Sequence, residues 1–173
     1  MTKRNSQKIY AFIDSQNLNL AVHALGWKLD FRRFLIYLKS KYNVTKAFLF
    51  LGYIPENKDL YDHLKNCGYE IVFKPTVKTS KKDATKGNVD AELVLHSAKI
   101  QFPNYQKAII VSNDGDFYCL IEHLKDENKL LKLITPSTRY SSLLRSFSTF
   151  IVPVPLFKHK VEYIKREAFP QHG

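Results

Sequence analysis

Two carboxylates and a hydroxyl stand close together in Val111-Ser112-Asn113-Asp114-Gly115-Asp116-Phe117, at the end of the apolar run Ala108 to Val111. Oxygen donors at that spacing suit a hard cation. The run is too short for a helix and is bounded by Asn, Asp and Gly, so it reads as a buried strand that stops where the polar residues begin. The pattern recurs near the N-terminus, where Ile9-Tyr10-Ala11-Phe12-Ile13 ends at Asp14 and is followed by Ser15, Gln16 and Asn17. A further acid, Asp90, falls in the first turn of a helix that Asn88 can cap.

Taken singly, each acid has a structural explanation. Asp14 can start a turn, Asp90 can complement a helix dipole, and Asp114 with Asp116 can form an Asx-turn that caps the following helix. Together they point elsewhere. In a parallel sheet, strand ends and the first turns of the following helices converge on one edge, so Asp14, Asp90, Asp114 and Asp116 can share a pocket. Two unit charges about 5 Å apart repel by roughly 3 kcal/mol at an effective dielectric of 20, and a divalent cation offsets that repulsion. All-oxygen ligation, with Asn17 and Ser112 in support, suits Mg²⁺ or Mn²⁺ rather than zinc.

The elements that must position these residues follow from periodicity. Apolar strands alternate with amphipathic helices from residue 9 to about 152, the signature of βαβ units. Asp30 can cap a helix with Phe31, Phe34, Leu35 and Leu38 on one face. Val44 to Tyr53 is a second strand. Glu56 to Asn66 is a helix closed by Gly68, and Tyr69 to Phe73 is a third strand. The Asn88 helix runs to about Ile100 and carries Leu93, Val94 and Ile100 toward the sheet. Lys107 to Val111 leads through the acidic turn into a helix at Phe117 to Lys125, Leu130 to Ile134 is another strand, and Tyr140 to Phe147 a last helix. The fold class is α/β: a single Rossmann-like domain over 9–152, with a mostly parallel central sheet flanked by helices. Residues 153–173 form a C-terminal extension, expected to be helical. It is either docked on the core or an appendage for dimerisation, giving a homodimer, or for RNA contact.

At 173 residues with 45% hydrophobic content, the chain fits one domain with one sizeable core. No apolar run approaches the roughly 20 residues that span a bilayer, and Met1 to Lys8 is polar, so a soluble, cytoplasmic protein without membrane contact is expected. Cys67 and Cys119 lie far apart without metal-ligand spacing and are read as reduced. The six histidines show no spacing that suggests a metal pair or a triad. The net charge of +11 favours a polyanionic partner. Lys74, Lys78, Lys81, Lys82 and Lys86 crowd a polar stretch that reads as a basic loop.

The segments Phe12-Ile13-Asp14-Ser15-Gln16-Asn17-Leu18, Lys86-Gly87-Asn88-Val89-Asp90 and Val111 to Phe117 resemble the three motifs of NYN domains, in the LabA-like branch of the PIN-like nucleases, in order and over roughly residues 9 to 150. The resemblance implies a metal-dependent ribonuclease site with Asp14, Asp90, Asp114 and Asp116 as ligands, and Asn17 and Ser112 orienting water or phosphate. Asp14 and Asp114 would be the main ligands. One departure is Asn113, where a small residue such as glycine is commoner. For an RNA substrate, single-stranded by this reading, Lys78, Lys81, Lys82 and Lys86 with Arg32 and Arg33 are the candidate phosphate contacts, and exposed tyrosines could stack unpaired bases. Most of the 12 Phe and 10 Tyr should simply be core.

Two rival readings remain in view. A haloacid-dehalogenase-like phosphatase also places an Asp after its first strand, but needs a second acid two residues on, where this chain has Gln16. A non-catalytic RNA-binding or regulatory module would keep the same acids for structure.

Overall fold

The run Ile9–Asp14 (β1) is buried at every position, which a strand achieves only when both faces of its sheet are covered. In the computed structural model, which describes residues 6–74 and 89–165, β1 lies inside a six-stranded sheet. Its companions are Val44–Gly52 (β2), Glu70–Lys74 (β3), Lys107–Val111 (β4), Leu130–Thr135 (β5) and Ile151–Pro153 (β6). The order is β3-β2-β1-β4-β5-β6 and every pairing is parallel, so the expected mostly parallel sheet is wholly parallel. Strand β6 escapes the sequence pattern because it is three residues long and ends in Pro153, which a sheet edge tolerates.

Helices cover both faces. Ser15–Ala24 (α1), Phe31–Tyr42 (α2) and Lys58–Cys67 (α3) pack on one side through Leu18, Val22, Phe34, Leu35, Leu38 and Leu64. Asp90–Leu95 (α4) and Tyr118–Asp126 (α5) cover the other through Leu93, Leu120, Ile121 and Leu124. The Asp30 carboxylate accepts the Arg33 N–H at 3.1 Å and caps α2. Gly68 ends α3 at φ 111°, a conformation that favours glycine. A 3-10 turn, Pro55–Asn57, precedes α3 and shortens the expected helix.

The expected helix to Ile100 needs correction. α4 gives way to a π-helical turn, His96–Ile100, and the inward face is Val89, Leu93 and Ser97, while Val94 and Ile100 are exposed. The face is set by i, i+4 spacing, and Ser97 hides its polarity by donating to the Leu93 carbonyl at 2.7 Å. Residues expected as a helix near 140–147 form a 3-10 run, Ser142–Phe150.

After β6 the chain makes a 3-10 turn, Val154–Phe157, and the short helix Lys158–Val161 (α6). Val154, Phe157 and Val161 are buried in the core beside α1 and α2. Tyr37 and Phe157 stack with ring centroids 4.1 Å apart. Among the described residues, no helix is long and apolar enough to cross a membrane. The loop candidates Lys78, Lys81, Lys82 and Lys86, and the capping Asn88, lie outside the described residues.

Candidate metal centre

The sheet order reverses its progression between β1 and β4, and at such a switch point the connections depart to opposite faces and leave a crevice at the carboxyl ends of the strands. Ile13 pairs with Val111, which sets Asp14 and Ser112 abreast at that crevice. Asp90 opens α4, which packs against β1 and against the 3-10 turn Gly115–Phe117. Asp90, Asp114 and Asp116 offer carboxylate oxygens that all lie within 4.8 Å of one another.

Each group is held by local bonds. Asp114 is extended (φ −79°, ψ 129°) and its Oδ1 accepts the Asp116 N–H at 3.0 Å, the Asx-turn read from the sequence. The Asp114 N–H donates to Ser112 Oγ at 3.2 Å. The Ser112 hydroxyl also lies close enough to the Asp14 carboxylate to favour its ionised form, so Ser112 sits between the two strand-end acids. Asp14 Oδ1 also accepts the Asn17 N–H at 3.1 Å and caps α1.

Asp14 is the most buried of the four acids, at 6% exposure. Loss of hydration pushes its pKa from 3.8 up to about 6; the charges of Asp90 and Asp114 push the same way, while the bonds from Asn17 and Ser112 oppose the rise. Three converging carboxylates beside a buried fourth form an all-oxygen donor set, and such a set fits a hard divalent cation.

Asn17 plays a part the sequence does not reveal. Its Nδ2 donates to Asn113 Oδ1 at 2.9 Å, and its Oδ1 accepts the Asn113 N–H at 3.2 Å. This reciprocal pair ties the start of α1 to the end of β4. Asn113 also donates to the Arg139 carbonyl and accepts the Ser141 N–H, each at 3.2 Å. The residue that departs from the family pattern is therefore a junction of three segments.

Gly115 is the second residue hidden from sequence reasoning. A Cβ there would lie 2.3 Å from Ser141 Oγ, 2.9 Å from Ser141 Cβ and 3.2 Å from Leu143 Cδ1. Gly115→Ala should destabilise the domain by about 1–3 kcal/mol through overpacking, and should displace Asp114 and Asp116. Urea melts check the first effect, and Ser141→Gly in the same chain should restore part of the loss. An unchanged melt would show that the loop yields freely.

Arg32 and Arg33 are not brought to the acids. Arg33 donates to the Glu162 carbonyl at 2.6 Å and the His159 carbonyl at 3.1 Å, anchoring the C-terminal segment. Arg32 shares a hollow with Asp30 and Ile164. Both lie on the first turn of α2, at the amino edge of the sheet: Tyr69, which leads into β3, donates from its hydroxyl to the Phe31 carbonyl at 2.6 Å. The acids lie at the carboxyl edge.

No match is found among curated proteins. A crystal structure of a protein of unknown function from Vibrio parahaemolyticus is similar in fold, with a TM-score of 0.75 at 23% identity, covering 94% of this chain and 100% of that one. The model of the NYN domain family matches residues 8–156, a stretch that contains all six strands and all four acids. The chain belongs to the NYN domain family.

Proposed function

We propose that this NYN domain is a metal-dependent ribonuclease of the LabA-like branch, hydrolysing phosphodiester bonds of single-stranded RNA with Mg²⁺ or Mn²⁺. The observation that carries the reading is the convergence of Asp90, Asp114 and Asp116 beside the buried Asp14 at the sheet's switch point. NYN domains are typically nucleases, and the net charge of +11 favours a polyanionic substrate.

Asp90, Asp114 and Asp116 would hold the ion; Asp14, expected as a main ligand from the resemblance, lies outside that closest convergence and would add charge from the buried side of the crevice. A divalent ion bound there supplies charge that polarises the scissile phosphate and lowers the pKa of water. The chain's own residues do the positioning. Ser112 holds the backbone of Asp114 through its hydroxyl, and the Asn17–Asn113 pair keeps β1 and β4 from splaying at the crevice. Water attack leaves a 5′-phosphate and a 3′-hydroxyl; cyclic phosphate ends would overturn this mechanism.

Asp116→Asn tests the reading cleanly, because Asp116 is exposed and its backbone bond to Asp114 survives the change. Even outer groups of a metal site are worth 10–100-fold, so loss of a ligand should lower cleavage of a single-stranded RNA by about a hundredfold or more. Wild-type cleavage should need Mn²⁺ or Mg²⁺ and stop in EDTA. Binding without cleavage under all these conditions would favour the non-catalytic RNA-binding module.

A further inference from the structure

At the same carboxyl edge, one strand over from Asp14, the chain holds an aromatic ring in solvent. Tyr53 follows β2 directly and is 43% exposed, with Ile54 next to it in the chain at 38%. An isolated exposed tyrosine means little. Here, however, the ring is rigidly mounted. The Tyr61 hydroxyl accepts the Ile54 N–H at 2.9 Å and donates to the Gly52 carbonyl at 3.3 Å, clamping the backbone on both sides of Tyr53. Pro55 restricts Ile54 further.

The Tyr53 ring leans on two others. Its centroid is 5.8 Å from that of Tyr61 and 5.3 Å from that of Phe73, edge to face with the latter, and Tyr61 and Phe73 are 4.8 Å apart. Lys65 Nζ sits 5.9 Å from the Phe73 centroid, and Lys74 ends β3 next to Phe73. Of the nearby acids, Asp62 is paired with Lys58 at 2.7 Å, and Glu56 and Asp59 lie in the turns that open α3.

Asp14 is in register with Phe50 of the adjacent strand β2, and Tyr53 lies three residues beyond Phe50, just past the end of that strand. Strand spacing and rise place it on the order of 10 Å from Asp14 along the same edge. We infer that Tyr53, backed by Tyr61 and Phe73, is a stacking platform for an unpaired nucleobase of the RNA whose backbone reaches the acidic centre. This rests on the ribonuclease reading for the ligand's identity. A stacked base must be unpaired, so the platform selects single strands over duplex, and every base offers a π-face, so it reads no sequence.

The test is binding in EDTA, where the proposed cleavage is silent. The probe is a short single-stranded RNA carrying one 2-aminopurine, moved along the strand in a series, with a matching series of abasic positions. Tyr53→Phe should bind as wild type, and Tyr53→Ala should bind on the order of tenfold more weakly and lose the 2-aminopurine quenching seen at one position. An abasic site at that position should weaken wild type equally and Tyr53→Ala not at all, the coupling expected of a direct pair. Equal affinity of Tyr53→Ala and wild type, or a loss that ignores the abasic site, would overturn the proposal while leaving the nuclease reading intact. A change in the size-exclusion mass of Tyr53→Ala without loss of RNA affinity would make the patch a protein interface and overturn it too. Wild type that binds no RNA would remove the reading beneath it, and the platform with it. Wild type that binds and stacks but never cleaves with Mn²⁺ would sink the enzyme and keep the platform.

Discussion

A chain ending at Pro153 should fail to fold. Val154 and Val161 are fully buried and Phe157 nearly so, all three within the core beside α1 and α2. Burying an aliphatic or aromatic side chain is worth about 1.5–3 kcal/mol, so the joint loss of three removes roughly 5–9 kcal/mol, against a total stability of about 5–15 kcal/mol for a typical domain. Main-chain ties go as well: the Asp30 N–H donates to the Val161 carbonyl at 2.9 Å, the Tyr163 N–H to the Lys28 carbonyl at 2.8 Å, and Arg33 loses both acceptors. The expected result is a far-UV circular dichroism spectrum without native signal and no cooperative melt. Phe157→Ala, a milder change, should cost about 3–5 kcal/mol in a urea titration. A truncated chain that melts within 1 kcal/mol of wild type would contradict this packing. Gel filtration of the truncated chain therefore tests folding and says nothing of a homodimer. Surface substitutions at Tyr163 and Ile164, 51% and 61% exposed, address assembly instead.

The difference between what was legible and what was not lies in sequence distance. Asp14 and Asp114 stand out because each interrupts a run of apolar residues, and a strand that ends in an acid is visible in a window of eight residues. Asp30 and Gly68 are equally local, since a cap acts within one turn. The constraints that failed to show are long-range. Nothing near Gly115 announces Ser141, whose side chain must shift to admit a Cβ there. Arg33 looks like a phosphate contact because its partners are main-chain carbonyls 126 and 129 residues away, which no composition reveals. Ser97 misleads in the opposite sense: a hydroxyl that bonds its own helix is polar in the sequence and apolar in the packing. Asn17 is expected at the site from the family resemblance, but its partnership with Asn113, across 96 residues, needed the fold.

Asp14→Asn should make the metal-free protein more stable at neutral pH while removing its cleavage. The folded chain raises the Asp14 pKa from 3.8 to about 6, chiefly through burial, with Asp90 and Asp114 adding to it. A carboxyl that holds its proton more tightly when folded contributes least where it must ionise. The native state then binds more protons than the unfolded one between the two pKa values, so stability falls as pH rises from about 4 through 6. Above that window the penalty is complete, at about 3 kcal/mol. Asparagine keeps an acceptor for the Asn17 N–H and carries no charge to desolvate. In EDTA, urea titrations of wild type and Asp14→Asn should coincide near pH 4 and diverge to about 3 kcal/mol in favour of the variant by pH 8. Adding Mg²⁺ or Mn²⁺ should close or reverse the gap at pH 8, because an ion that binds only the folded state stabilises it by about 2.7 kcal/mol at a hundred times its dissociation constant, and the variant holds it less well. Wild type equal to or more stable than the variant in EDTA at pH 8 would mean that Asp14 is not the crowded, desolvated acid this geometry makes it. The predicted outcome places Asp14 among residues kept at a cost to the fold, a sacrifice of stability characteristic of groups retained for what they do with a ligand.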